Sequence, residues 1–317
     1  MKQTYQHVPV LQQELIDLLQ PLPNENFVDG TVGGAGHALA ILEKSGPHGI
    51  LLGLDLDPRA FAVSTERLQR FGDRAIVIKG DYAEIAALCQ KHLADAPVAG
   101  IILDLGLSSD QLDASGRGFS FRDQSVADMR FDPQTGKSAS DLLMTLSEDQ
   151  LYALFRQYGE VRGARRAAKA VITMRKRAGQ SQRQVTVPML LEALESAGLE
   201  PRTGIHPATT VFQALRIATN AELERIQRFL PRAVKVLRQG GRLGIISYHS
   251  LEDRIVKDFF KQEARDCICP PRTPVCRCGH KRTLKLLTKK PIRPSPRELR
   301  ENPRSRSARL RVAQKII

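Results

Sequence analysis

The sequence predicts an α/β protein built on a doubly wound parallel sheet. Short apolar segments alternate with helical patterns through the first hundred residues, a rhythm typical of βαβ units. A glycine-rich turn joins the first strand to the following helix, and an aspartate follows three of the first four strands. These features together predict a ligand site at the carboxyl edge of the sheet.

The predicted elements are short and bounded by turn signals. Strands are expected at 26–32, 50–55, 75–79 and 98–105. Helices are expected at 36–44, 58–71 and 83–93, the second with Pro58 as its first residue.

A mostly helical insertion is expected at 113–210. It divides the α/β domain into 1–112 and 211–317. After it the pattern predicts one amphipathic helix at 211–237, which Pro231 kinks or divides. A Gly240-Gly241 turn then leads into a strand at 242–248, and a helix at 251–261 precedes two strands at 284–287 and 308–312.

The charge of the chain favours a polyanionic partner. Its 48 Lys and Arg residues against 34 Asp and Glu give a net charge of +14. Eight basic and no acidic residues fall in 162–183, and thirteen basic residues against two acidic ones fall in 281–317. Solvated basic faces are the alternative, but nucleic acid is favoured, with phosphate contacts dominating because only 5% of residues are aromatic.

Composition also limits the size of the core and the cellular location that can be expected of the protein. With 317 residues, 42% of them apolar, the chain can bury a sizeable core. Neither a signal peptide nor an apolar run long enough for a membrane span is found, which predicts a soluble, cytoplasmic protein. A homodimer is compatible with the sequence, which does not fix an oligomeric state.

The glycine-rich turn is the segment Asp29–His37. Its four glycines allow close approach of a ligand to the backbone and aim helix N–H groups at it. The segment fits neither the G-x-G-x-x-G pattern of dinucleotide sites nor a P-loop. An ordinary strand-to-helix turn is the alternative.

Asp29, Asp55 and Asp104 end the first, second and fourth strands. Asp55 can accept both hydroxyls of a ribose, in a nucleotide or in S-adenosylmethionine, whereas Asp57 is expected to cap the helix that begins at Pro58. A residue after the third strand, such as Tyr82, would reach an adenine ring. Helix capping is the alternative for each carboxylate, but the series favours a nucleoside ligand. The Gly-Gly turn before a late strand is typical of methyltransferase sheets.

A series of motifs carries a family resemblance over residues 7–312. The motifs are 7–10 (HVPV), 29–37, 104–109 (DLGLSS), 111–113 (QLD), 117–121 (RGFSF), 128–130 (DMR), 206–209 (HPAT), 212–217 (FQALRI), 247–257 and 302–307 (NPRSRS). In this order they resemble the bacterial 16S rRNA (cytosine-1402-N4)-methyltransferases, the RsmH/MraW family.

The resemblance implies a cytoplasmic enzyme that uses S-adenosylmethionine to methylate the exocyclic amine of one cytidine in 16S rRNA of the small ribosomal subunit. It also implies a class I, Rossmann-like methyltransferase sheet with an inserted helical domain that recognises RNA. The cofactor residues it implies are Ala35, Gly36, His37, Asp55, Tyr82, Asp104 and Gln111. Ala35 replaces a family glycine, which is tolerable at negative φ and strained otherwise.

The catalytic residues need a separate argument, because the lone pair of the cytosine amine is delocalised into the ring. No Asn/Asp-Pro-Pro-aromatic motif is present to accept hydrogen bonds from it. We expect Asp104 or His249 to handle the amine, with Tyr248 stacking on the flipped base. Capping of the following helix is the alternative for His249. His206 and Arg216 are expected to form an RNA-facing wall, with a structural hinge as the equal alternative.

Four of the five cysteines cluster as Cys267-x-Cys269 and Cys276-x-Cys278. In a cytosolic chain such a cluster suggests metal rather than disulfides. However, the C-x-C spacing differs from the usual C-x₂₋₄-C zinc pattern, so free thiols are favoured over zinc and no metal is assigned. Cys89 is expected in the core.

Two other functions compete with methyl transfer. A nucleotide-dependent oxidoreductase would use the glycine loop for its cofactor, and its bound nicotinamide would absorb light. A non-catalytic RNA-binding assembly factor would keep the fold without transferring a methyl group. Binding of S-adenosylmethionine, followed by methyl transfer to small subunits, separates the three.

Overall fold

The computed structural model describes residues 9–108, 111–112, 116–179, 183–199, 207–270, 273 and 275–317. The chain divides into two compact units. One consists of Met1–Gly106 and Leu223–Ile317, and the other of Leu107–Glu222.

Seven strands in the described residues of the first unit form a single sheet. In chain order they are β1 Asn26–Asp29, β2 Leu51–Asp55, β3 Ala75–Lys79, β4 Val98–Asp104, β5 Leu237–Ser247, β6 Leu284–Leu286 and β7 Arg309–Lys315. The sheet order is β3-β2-β1-β4-β5-β7-β6, with β1 to β5 parallel and β7 antiparallel to both of its neighbours. The predicted fold class, an α/β sheet of the class I methyltransferase type, is therefore confirmed, although the strand β7 makes the sheet mixed rather than fully parallel. The direction of chain progression reverses between β1 and β4, which places a ligand crevice at their carboxyl ends.

Helices cover both faces of this sheet, where apolar side chains form two separate cores. Asp57 caps the third helix as expected, accepting a hydrogen bond from the Arg59 amide at 3.0 Å. Before the second unit the helices are α1 Gln12–Leu19, α2 Gly36–Lys44, α3 Pro58–Leu68 and α4 Ile85–Leu93.

The second unit is helical and has an apolar core of its own, which includes Leu151, Phe155 and Leu190. Ser138 and Ser147 begin two of its helices with capping boxes, in which each serine and the third helical residue bond each other's backbone amides. Its helices are α5 Ala139–Thr145, α6 Glu148–Gly159, α7 Ala164–Ala178, α8 Val187–Ser196 and α9 Pro207–Asn220. The remaining helices of the chain are α10 Glu222–Val236, α11 Ser250–Glu263 and α12 Pro296–Glu301.

Two sequence predictions are wrong in detail. The single helix expected at 211–237 is divided, because Ala221 adopts φ 49° and so separates α9 from α10. Pro231, where a kink was expected, lies inside α10. In addition, β5 begins at Leu237, and its pairing with β4 skips residues 238–241 as a bulge that contains Gly240 at φ 79°.

Within the described ranges, no helix is both long enough and apolar enough to cross a bilayer.

Candidate active site

Three carboxylates meet at the carboxyl edge of the sheet, as the strand pattern predicts. Asp29 is only 2% exposed, and its carboxylate accepts a hydrogen bond from the Thr31 amide at 3.1 Å. Burial raises the pKa of Asp29 to about 7, and the negative charges of Asp104 and Asp55 add to the rise. Burial likewise raises the pKa of Asp55 to about 6. Within the part of the chain that the structure describes, no basic side chain forms an ion pair with these three aspartates.

Asp55 also organises the glycine loop. Its two carboxylate oxygens accept hydrogen bonds from the amides of Gly33, at 3.0 Å, and Asp57, at 2.9 Å. Each oxygen keeps a further lone pair that can accept a ligand hydroxyl. The loop therefore contacts Asp55 through a backbone amide, and the carboxylate can still accept hydrogen bonds from the hydroxyls of a ribose.

Ala35 ends the loop in a strained conformation. It lies at φ 62° and ψ 18°, in the left-handed region, directly before α2, and its methyl group is fully buried. The alanine that stands here in place of the family's glycine therefore has a strained backbone conformation. Left-handed backbone costs a residue with a Cβ about 1 kcal/mol or more.

Gly36 and His37 hold the segment before α1 against the loop. A Cβ added at Gly36 would lie 2.3 Å from Cγ of Pro9, so only glycine fits beneath this proline. The His37 ring is 6% exposed, and its Nε2 lies 3.0 Å from the Val10 carbonyl oxygen. Burial lowers the pKa of His37, which favours a neutral ring that donates to this carbonyl.

Asp104 and Tyr248 form the opposite wall of the crevice. The Asp104 amide donates to Oγ1 of Thr31 at 2.7 Å, which ties the end of β4 to the loop. The Tyr248 hydroxyl hydrogen-bonds the Asp104 carboxylate, and burial, together with that negative charge, raises the pKa of the phenol well above its usual value. A Cβ added at Gly106 would lie 2.7 Å from Cε2 of Tyr248, so this glycine lets the ring approach the backbone.

His249 begins α11 as its N-cap residue. Its Nδ1 accepts a 3.4 Å hydrogen bond from the Glu252 amide, and its Nε2 lies 3.0 Å from Oε1 of Glu252. The Glu252 carboxylate, fully buried, accepts from the amides of Tyr248 and His249 at 2.8 and 3.2 Å. Both imidazole nitrogens therefore face the helix cap, which is the alternative role that the sequence left open. Sequence reasoning missed Glu252, although the His-x-x-Glu spacing is a capping-box signal.

Tyr82 is buried beside the loop. It is 9% exposed, and its Cβ would lie 3.1 Å from a Cβ added at Gly30. Its ring meets the Phe229 ring edge-on, with centroids 5.4 Å apart. Phe229, on α10, is a second neighbour of the crevice that the sequence did not indicate.

Gln111 and Arg216 belong to the second unit. The Gln111 side chain accepts a hydrogen bond from the Ser108 amide at 2.9 Å. Arg216 makes two hydrogen bonds to the carboxylate of Glu222, at 2.8 and 2.9 Å, and both side chains are largely buried. This pairing favours the structural account of Arg216 over the RNA-facing one. His206 lies outside the described residues, as do His7, Val8, Ser109 and Asp113 of the quoted motifs.

The two basic clusters hold fewer free cations than their counts suggest. Arg175 turns inward and donates to the carbonyls of Leu143 and Leu146 at the end of α5. Arg311 is 8% exposed and pairs with Asp253 at 2.6 Å. Arg165 pairs with Asp149. The other exposed basic residues of the 162–183 cluster are Arg162, Arg166, Lys169, Lys176, Arg177 and Arg183.

Comparison with known proteins identifies the family. The model of the MraW methylase family matches residues 4–316. A protein of Thermomicrobium roseum named ribosomal RNA small subunit methyltransferase H is 47% identical over 98% of this chain and 94% of its own. One of the same name from Heliobacterium mobile is 43% identical over 98% of this chain and 99% of its own.

A solved rRNA methylase from Streptococcus thermophilus aligns with 98% of this chain and 99% of its own, at 12% identity and a TM-score of 0.41. That likeness is too remote to support a functional conclusion. The family model and the two close relatives are sufficient to assign the family, because all three matches span nearly the whole chain. The chain belongs to the MraW methylase family.

Proposed function

We propose that this chain transfers a methyl group from S-adenosylmethionine to the N4 amine of cytidine 1402 in 16S rRNA of the small ribosomal subunit. The observation that carries the proposal is the Asp104–Tyr248 pair beside a glycine loop, in a chain of a methylase family. The close relatives are named as methyltransferases of the ribosomal small subunit RNA, which supports the substrate class and a cytoplasmic setting.

The charge of the crevice fits the proposed cofactor. The negative charges of Asp104 and Asp55 both raise the pKa of Asp29, and none of the three carboxylates has a cationic partner in the described residues. S-adenosylmethionine supplies an electrophilic methyl group on a positively charged sulfonium. A cation placed among these carboxylates relieves their mutual repulsion and favours the ionised forms of Asp29 and Asp55.

Individual roles follow from position. The backbone at Ala35 and Gly36 would face the methionine part of the cofactor, while the spare lone pairs of Asp55 would accept the ribose hydroxyls. Tyr82 would border the adenine. His37 would hold the segment at Val10 over the loop. Gln111 is carried over from the family resemblance as a cofactor residue.

Asp104 is the group that we assign to the cytosine amine. A carboxylate that accepts a hydrogen bond from N4–H draws the nitrogen toward tetrahedral geometry and frees its lone pair for in-line attack. The Tyr248 hydroxyl holds this carboxylate, and its ring would stack on the flipped base. The proton leaves N4 for the carboxylate or for solvent. His249, the other candidate for the amine, is engaged with Glu252 and acts here as a positioning residue.

The helical unit would supply RNA recognition. Its exposed arginines and lysines on and around α7 suit phosphate contacts, which position an RNA without reading its sequence. A homodimer, with which the sequence is compatible, is not assigned, and sedimentation equilibrium would test for it.

Methyl mapping tests the whole proposal. The protein and S-adenosylmethionine labelled in its methyl group are incubated with small subunits, and in parallel with naked 16S rRNA, from a strain that lacks this gene. We expect label at N4 of cytidine 1402 with the natural protein and with the exposed control variant Asp17→Asn, and a loss of at least tenfold with Asp104→Asn. Cofactor binding without label at any nucleotide would favour the assembly-factor alternative, and label elsewhere would overturn the assigned nucleotide.

A further inference from the structure

Four cysteines outside the active site converge on one point. They lie in the loop between α11 and β6, and their sulfur atoms all fall within 4.8 Å of one another. The Sγ–Sγ distances are 3.8 Å for Cys267–Cys278, 4.0 Å for Cys269–Cys276 and 3.5 Å for Cys276–Cys278. Four thiolates at about 2.3 Å around one zinc ion are separated by about 3.8 Å along each tetrahedral edge. The observed spacing is that of ligands around a single ion.

The two C-x-C segments are joined crosswise. The amide of Ile268, in the middle of the first segment, donates to Sγ of Cys278 at 3.4 Å. The amide of Arg277, in the middle of the second, donates to Sγ of Cys269 at 3.5 Å. Each segment thus supplies an N–H group to the last sulfur of the other, the second layer of bonds that stabilises metal-bound thiolates. This crosswise arrangement removes the geometric objection to C-x-C spacing, because the tetrahedron is completed between segments.

Among its described residues, the loop has few other stabilising contacts. Its apolar side chains are outside any core: Ile268 is 42% exposed and Val275 is 68% exposed. Its base is tied by hydrogen bonds of 2.8 and 2.7 Å between Thr283 and Glu263. His280 contacts the Gln262 carbonyl oxygen at 3.2 Å and so belongs to this base. Because burial cannot order the tip, a metal ion is the stabilising element that its chemistry provides.

We propose that Cys267, Cys269, Cys276 and Cys278 bind one zinc ion that orders the 264–283 loop. Disulfides would require sulfur pairs at about 2.05 Å, and no sulfur pair here is closer than 3.5 Å. An iron–sulfur cluster spreads its cysteines over several irons, so it needs wider sulfur separations than these. The two net negative charges of a zinc tetrathiolate are offset by basic residues of the same loop, which include Arg265, Arg277, Lys281 and Arg282.

Metal analysis of the full-length protein tests this site. Purified under reducing conditions without chelator, the protein should carry one zinc per chain by inductively coupled plasma mass spectrometry. The double variant Cys276→Ser/Cys278→Ser should carry none, while Cys89→Ala, which alters the buried cysteine of α4, should keep its zinc. Cobalt added to the metal-free natural protein should give the intense visible bands of a tetrahedral tetrathiolate, a result that does not depend on how the variants fold.

Three results would overturn the proposal. The first is that the reduced natural protein neither contains zinc nor takes up cobalt. The second is that it contains bound iron together with inorganic sulfide. The third is that disulfide-linked peptides account for the four cysteines. All the readouts report on metal or thiols, so they are independent of methyl transfer.

Discussion

Tyr248 donates its phenolic hydrogen to the Asp104 carboxylate, joining the residue after β5 to the last residue of β4. Two strands that are neighbours in the sheet but more than a hundred residues apart in sequence thereby share one polar contact. The contact adds to the 3.3 Å hydrogen bond that the Gly106 amide donates to Oδ1 of Asp104, so it helps to orient the carboxylate at the point where we place the cytosine amine.

Removal of this hydroxyl should slow catalysis with little effect on cofactor binding. A hydrogen bond to a charged group contributes about 1.5–3 kcal/mol, so Tyr248→Phe is expected to lower kcat by about tenfold to a hundredfold. Tyr152→Phe is the matched control, since within the described residues the hydroxyl of Tyr152 accepts its one hydrogen bond from the Arg156 guanidinium of the next turn, at 2.6 Å. Single-turnover methylation and calorimetric cofactor affinity measure the two effects. Equal losses in both would place the tyrosine in cofactor binding instead.

The cap of α11 separates the two roles of His249. If the imidazole serves the cap, His249→Ala should lower the free energy of unfolding by about 1 kcal/mol, and His249→Asn should recover most of that loss, because asparagine is a good N-cap residue. Turnover should follow stability in both variants. Denaturant unfolding and methylation rates are measured together. A stable His249→Asn protein without turnover would assign the amine to the histidine.

Local patterns explain why much of the fold could be predicted. The alternation of apolar strands and helices specifies β1 to β4, and strand-end position alone brings Asp29, Asp55 and Asp104 together. The side-chain partners that the fold brings together are harder to predict from the sequence. Nothing in the local sequence shows that Arg175 donates hydrogen bonds to backbone carbonyls, or that Arg216 and Arg311 form ion pairs with Glu222 and Asp253.

Other features depend on backbone conformation and on contacts between distant segments, which local sequence patterns do not reveal. The break between α9 and α10 depends on a positive φ at Ala221, a residue type that ordinarily favours helix, whereas the visible breaker Pro231 is accommodated. The spacing within each C-x-C segment argues against a tetrahedral metal site, but the structure joins the two segments crosswise. Such contacts between distant segments appear only after the chain is folded.

Gly36→Ala should disturb the covering of the glycine loop. The new methyl group would lie 2.3 Å from Cγ of Pro9, so the segment at 9–11 must move. We expect a loss of about 1–3 kcal/mol in the free energy of unfolding, as for other overpacked sites, with weaker cofactor binding. Gly46→Ala is the control, because its Cβ would meet nothing closer than the Arg74 guanidinium at 3.6 Å. Equal stability of the two variants would contradict this account.

Asp29→Asn should stabilise the protein without cofactor. A carboxylate whose pKa rises from 3.8 to about 7 on folding destabilises the native state once the pH exceeds its unfolded value. The gain should be absent below pH 4, grow as pH rises, and level off above pH 7 at about 1–4 kcal/mol, given about 1.4 kcal/mol per pKa unit. Asp17→Asn, on an exposed position of α1, should show no such trend. Urea unfolding across this pH range decides the matter, and a gain independent of pH would refute the charge argument.

Cofactor affinity should rise with pH for the same reason. Burial raises the pKa of Asp55 to about 6 and that of Asp29 to about 7, so below pH 6 both are largely protonated and attract a cation poorly. Protonation of Asp55 alone should make binding of S-adenosylmethionine about tenfold weaker at pH 5 than at pH 8. Binding should also release protons near pH 6, which calorimetry detects in buffers of different ionisation enthalpy. S-adenosylhomocysteine, which lacks the sulfonium charge, should show a smaller dependence. An affinity for S-adenosylmethionine that is flat from pH 5 to 8 would show that the three carboxylates do not recognise the cation.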